Sequence, residues 1–125
     1  MGNVPLTLRD LSKEIYSCVH CGYCLDACPA RDASHFDIYG SRGKMQVFKA
    51  VLERKLNIDG ELADRVFNCA LCRWCTYKCP EDIQTTDIFL IARYEAVKRG
   101  LVPDAVKKSM EYVCLLYTSP SPRDR

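Results

Sequence analysis

Eight of the nine cysteines in this chain fall in two runs, Cys18, Cys21, Cys24 and Cys28 before Pro29, and Cys69, Cys72, Cys75 and Cys79 before Pro80. Both runs have the spacing C-x2-C-x2-C-x3-C-P without deviation. Three thiolates separated by two residues can wrap three corners of an iron–sulfur cubane from one tight loop. The fourth, carried into the next element, points away from that loop and ligates a second cluster. The spacing therefore predicts two 4Fe–4S clusters with crossed ligands: Cys18, Cys21, Cys24 and Cys79 for one, and Cys69, Cys72, Cys75 and Cys28 for the other. The proline after each run suits a helix start, where a missing N–H costs nothing.

Two other metal or redox readings fit less well. Structural zinc sites build from well-separated C-x2-C pairs and give no reason for a third cysteine at the same interval. A thioredoxin-like C-x-x-C needs a βαβ setting, which neither run has.

Composition bounds the rest. At 125 residues, 48% of them apolar, the chain is expected to be one folded domain. Its 18 Lys+Arg nearly balance its 16 Asp+Glu, giving +2, so nothing suggests the clustered basic face that nucleic acid requires. No apolar run approaches the roughly 20 residues of a membrane span. Met1 to Leu6 lacks a secretory pattern, and Leu6 stands where myristoylation wants Ser or Thr. A cytoplasmic location is expected, and in that reducing compartment regularly spaced cysteines point to metal rather than to disulfides.

The C-terminal residues stand apart. Cys114 to Asp124 reads as the in-frame translation of a transposase adapter used in sequencing libraries, whereas a genuine Ser/Pro-rich linker would match only in composition. Residues 114–125 are set aside on this reading, Cys114 with them. Residues 1–113 then form the domain, as a fragment of a longer protein.

The elements that must position the cysteines read as short helices. Thr7 and Asp10 resemble a capping box opening a helix to about Tyr16, with Leu8, Leu11 and Ile15 on one side. Gly40 to Gly43 forms a turn or a helix entry, followed by a helix over Lys44–Lys55 carrying Met45, Phe48, Val51 and Leu52 at helical spacing. Asp59-Gly60 breaks it, and Glu61–Phe67 forms another, with Leu62 and Val66 one turn apart. A helix over Thr86–Arg99, with Ile88, Ile91, Ala92 and Tyr94 together, stops at Gly100. Pro103 starts a last one through Val106, Met110 and Val113. Met and aromatic positions are assigned to packing. Strand signals are scarce and the forty-residue spacer 29–68 has room for helices, so an all-α, two-cluster α-helical ferredoxin is expected.

These runs, together with Gly40-Ser41-Arg42-Gly43-Lys44-Met45 and the segment Ala96-Val97-Lys98-Arg99-Gly100-Leu101-Val102-Pro103, carry a family resemblance. The chain resembles the N-terminal dicluster domain of heterodisulfide-reductase-like iron–sulfur proteins, which include iron–sulfur subunits of glycolate, lactate and glycerol-phosphate oxidoreductases. The resemblance implies an α-helical ferredoxin similar to the C-terminal part of succinate dehydrogenase iron–sulfur subunits, with all eight ligand positions matched. Many such proteins continue into cysteine-rich repeats with a CCG motif, and this chain has none.

The expected function is one-electron relay as an iron–sulfur subunit or domain of an oxidoreductase, docked to a flavoprotein or another redox subunit. Peripheral association with a membrane partner is compatible with this. The alternative is a non-catalytic redox sensor or structural metal-binding domain. No substrate machinery is evident: His20 and His35 are the only histidines, both read as solvent-facing. Arg73 and Lys78 in the second run, against Asp26 alone in the first, predict a higher potential for the Cys69–Cys72–Cys75 cluster, opposed by solvent screening. Tyr23 and Trp74, each just before a third cysteine, are read as shields over the clusters.

Overall fold

The computed structural model describes residues 7–118, with side chains as far as 115. The N-terminal residues 1–6, read above for targeting, and residues 119–125 of the adapter-like stretch lie outside the described residues. Seven helices follow in order: α1 (Ser12–Ser17), α2 (Pro29–Ser34), α3 (Ser41–Leu52), α4 (Gly60–Phe67), α5 (Trp74–Tyr77), α6 (Thr85–Lys98) and α7 (Asp104–Thr118). Single 3₁₀ turns stand at Tyr23–Leu25 and Asp37–Tyr39, and no strand occurs among the described residues. The all-α expectation holds.

One core joins the halves. Leu8, Ile15, Met45, Phe48, Leu62, Val66, Ile88 and Phe89 are buried in a single cluster, with Phe48 and Phe89 meeting at 5.9 Å between ring centroids. α1 packs on α3 and α4 on α6, while α5 meets the Tyr23–Leu25 turn. The two cysteine runs are thereby brought against each other.

Several local expectations are corrected. Thr7 and Asp10 do interact, but the Thr7 hydroxyl and N–H both donate to the Asp10 carboxylate, at 2.8 and 3.0 Å. The first helix begins only at Ser12. Leu8 is buried and its N–H donates to Glu95 of α6 at 2.6 Å, so a tertiary anchor holds this segment as a turn. α3 starts three residues earlier than expected, with Gly40 as its N-cap and Ser41 to Gly43 as its first turn. Asp59 is a cap rather than a breaker, accepting from the Leu62 N–H at 2.9 Å. Pro29 opens α2 as expected, whereas Pro80 lies in a turn well before α6. Gly100 ends α6 with φ of 73°.

Packing was assigned too broadly. Met45 is buried, but Tyr94, Met110 and Tyr112 are exposed, and Val113 is about half exposed at 49%. Met110, Tyr112 and Val113 belong to α7, which continues without a break across the proposed 113/114 boundary.

The α3 start explains the glycines there. A Cβ on Gly43 would lie 2.4 Å from the Asp37 carbonyl oxygen and 2.6 Å from Ile38 Cα, and one on Gly40 would lie 2.5 Å from Leu25 Cδ2. Only residues without a side chain let α3 come this close to the Asp37–Tyr39 turn.

Candidate metal centres

Each cysteine run folds as a loop closing on itself, and the two loops share a backbone pattern. His20 and Leu71, each two residues after a first cysteine, have φ of 56° and 53°. Gly22 and Arg73, each four residues after it, have φ of 90° and 65°. Left-handed residues at matched places curl the backbone so that three thiols face inward. Holding Arg73 there carries a steric cost that Gly22 avoids.

The thiols line two cavities. The first is lined by Cys18, Cys21, Cys24, Cys75 and Cys79. The second is lined by Cys24, Cys28, Cys69, Cys72 and Cys75. Each is lined by the first three cysteines of one run together with the third and fourth of the other. Cys24 and Cys75 border both. Among the described residues, no three Cys, His, Asp or Glu side chains close on one point as the ligands of a lone ion would. Cys114 is exposed on α7 and borders neither cavity.

The donor chemistry fits an anionic cluster. Trp74 and Ser41 line the second cavity, and the indole Nε1 and the Ser41 hydroxyl are buried without a hydrogen-bond partner from the protein. Unpaired buried donors are costly unless something in the cavity accepts from them. Thr85, buried at the start of α6, donates to Cys75 Sγ at 2.9 Å, and Thr76 meets Thr85 and Thr86 at 3.0 Å each. Burial pushes the Cys24 thiol up to about 11, helped by Cys75, then Cys18 and Cys21. In the metal-free chain that proton stays on, and iron binding must displace it.

Lys44 is the site residue that the cysteine spacing does not announce. It lines the second cavity at 1% exposure, donates to the Tyr39 carbonyl, and stands 5.5 Å from the Phe89 ring centroid. Burial lowers its pKa, the thiolates of Cys69, Cys28 and Cys75 oppose that, and Arg93 reinforces it. Arg93 itself donates to the carbonyls of Val66 and Phe67 at 3.2 Å and to that of Cys69, clamping the end of α4 to the first ligand position of the second run. Helical spacing carried the signal for both: Lys44 shares a face with Phe48 and Val51, and Arg93 with Phe89 and Ala96.

The remaining flagged residues divide. His20 is half-buried, with Nδ1 3.7 Å from Cys18 Sγ, so it turns toward the first cavity rather than to solvent alone. His35 is exposed and caps α2. Trp74 covers the second cavity as expected, but Tyr23 is 66% exposed and shields nothing. Arg73 and Lys78 are both exposed, Lys78 lying 4.8 Å from the Trp74 ring centroid.

Against known families, residues 14–83 match the model described as 4Fe-4S dicluster domain. The chain belongs to that family. A dicluster domain of this kind carries two 4Fe–4S clusters, in agreement with the two thiol-lined cavities. The domain is 30% identical over 106 residues to an iron-sulfur subunit of the CoB–CoM heterodisulfide reductase of Methanocaldococcus jannaschii, covering 84% of this chain and 52% of that protein. It is 30% identical over 98 residues to a subunit of the H(2)/formate:CoB-CoM heterodisulfide,ferredoxin reductase of Methanococcus maripaludis, covering 78% of this chain and 48% of that one. To the glycolate oxidase iron-sulfur subunit of Escherichia coli it is 28% identical over 100 residues, 78% of this chain but 24% of that protein. The chain thus spans about half the length of the heterodisulfide reductase relatives it matches. Among the described residues of the dicluster domain, no helix is long and apolar enough to cross a membrane.

Proposed function

We propose that this domain is the one-electron relay of a multi-subunit oxidoreductase, with Cys18, Cys21, Cys24 and Cys79 holding one cluster and Cys69, Cys72, Cys75 and Cys28 the other. The observation that supports the reading is the lining of the two cavities, each holding three cysteines of one run beside the third and fourth of the other. When bound, a 4Fe–4S cluster supplies reversible one-electron chemistry. The residues of this chain do the rest. Cys24 and Cys75 border both sites, Thr85 orients Cys75, and the apolar core excludes water from behind both. Cys21 and Cys72 are exposed, which leaves one face of each site open to a docked donor or acceptor.

The relatives named as subunits of reductase and oxidase complexes support a redox partner, and a flavin-bearing subunit is the partner we favour. A reducing compartment such as the cytoplasm keeps these thiols available for iron. Residues 114–125 remain best read as an adapter translation on their sequence.

Single serine variants test the ligand allocation. Crossed ligation expects Cys28→Ser to leave the same surviving EPR signal as Cys72→Ser, and Cys79→Ser the same as Cys21→Ser. Matching losses for Cys28→Ser and Cys21→Ser would overturn the crossing. A preparation containing two zinc ions per chain and no acid-labile sulfide would overturn the relay itself.

A further inference from the structure

The two sites differ in what stands behind them. At the first cavity the guanidinium is that of Arg42, which is already paired with Asp37 at 2.5 Å and remains partly exposed. At the second, which the exposed Arg73 also lines, the Lys44 ammonium is buried, forms none of the ion pairs found among the described residues, and shares the cavity wall with Cys69, Cys28 and Cys75. The unpartnered Ser41 hydroxyl and Trp74 N–H line the same space. Ser41 opens a twelve-residue helix and Lys44 directly follows its first turn, so the helix N-terminus adds partial positive charge.

Positive charge and hydrogen-bond donors stabilise the more negative, reduced form of a cluster. How strongly they do so depends on solvent. Arg73 and Lys78 are exposed and screened, whereas Lys44 acts through protein interior, where a unit charge interacts several-fold more strongly. An anionic cluster in turn favours the charged ammonium.

We infer that Lys44, assisted by Ser41 and Trp74, makes the Cys28–Cys69–Cys72–Cys75 cluster the higher-potential of the two, so that an electron entering the domain comes to rest there. Lys44 is a potential-setting residue rather than a ligand. The inference rests on the ligand allocation proposed above. It also assigns the asymmetry to a buried charge and not to the charged residues inside the second run.

The test is a redox titration followed by EPR on the reconstituted full chain, with the second cluster identified by the signal that Cys72→Ser removes. Lys44→Met, which keeps length and removes charge, is expected to lower the reduction equilibrium of that cluster by at least about tenfold, about 59 mV for one electron. The other cluster should not move, and Lys44→Arg should restore the gap. Ser41→Ala is expected to shift the same cluster in the same direction by less, and its small volume change keeps the fold.

The unmodified protein supplies a further measurement. A gap between the clusters that survives 1 M salt supports Lys44, because exposed charges are screened within about 3 Å there. A gap that closes in salt belongs to Arg73 and Lys78 and overturns the assignment, as does a Lys44→Met titration indistinguishable from wild type. A shift confined to the cluster that survives Cys72→Ser likewise overturns the assignment, while iron content with the serine series tests the ligand allocation without reference to Lys44.

Discussion

Replacing Gly43 by alanine should destabilise this domain, although the same change at Gly60 should not. A Cβ at position 43 would stand 2.4 Å from the Asp37 carbonyl oxygen and 2.6 Å from Ile38 Cα. Both obstacles are backbone, so no side chain can swing away. α3 would have to move outward by most of an ångström, and it carries Met45 and Phe48, each at most 1% exposed. Forced overpacking of this kind costs about 1–3 kcal/mol. The helix-propensity gain from replacing glycine offsets at most about 1 kcal/mol of that, less in a first turn. A net loss of about 1–2 kcal/mol, at a urea slope of about 2 kcal/mol/M, lowers the midpoint by about 0.5–1 M. A Cβ on Gly60 meets nothing within 4 Å at the start of α4, so Gly60→Ala should hold or raise the midpoint by a few tenths of 1 M. The assay is anaerobic urea unfolding of the reconstituted protein, following the visible absorbance of the clusters. Equal midpoints for Gly43→Ala and wild type would refute the close-approach argument, and with it the account of how Ser41 and Lys44 reach the second cavity.

Thr85→Val, nearly isosteric, removes the hydroxyl that donates to Cys75 Sγ at 2.9 Å. Iron content should be retained while the cluster bound by Cys75 drops in potential, read by redox titration. Arg93→Lys should release the fork holding the Val66, Phe67 and Cys69 carbonyls and cost about 1–3 kcal/mol. Its effect should show first as lost occupancy of the second cluster in iron and sulfide assays. Cys114→Ser should leave iron, sulfide and EPR unchanged, because that thiol is exposed and remote from both cavities.

Chemistry was more legible than placement. Cysteine spacing is a local property: three thiols separated by two residues can reach one cubane whatever lies elsewhere, so cofactor type and number follow from the sequence alone. Helix existence was legible for the same reason, since Met45, Phe48, Leu62 and Val66 recur with the helical period. Helix limits were not. The start of α3 depends on Gly40 and Gly43 meeting the Asp37–Tyr39 turn, and the late start of α1 depends on Glu95 holding Leu8.

What the amino-acid order determined by itself was the cofactor type and number, the helical class and the separation of Cys114 from the paired runs. Tertiary structure alone decided that Cys24 and Cys75 would border both cavities. It alone turned His20 toward Cys18, left Tyr23 and Met110 in solvent, and drew Lys44 out of water to share a cavity wall with Cys69, Cys28 and Cys75. The physical reason is the range of the interactions. Ligand spacing and helical periodicity act over a few residues, whereas burial of a charge is set by what packs over it, and here Tyr39 and Phe89 come from opposite sides of the chain.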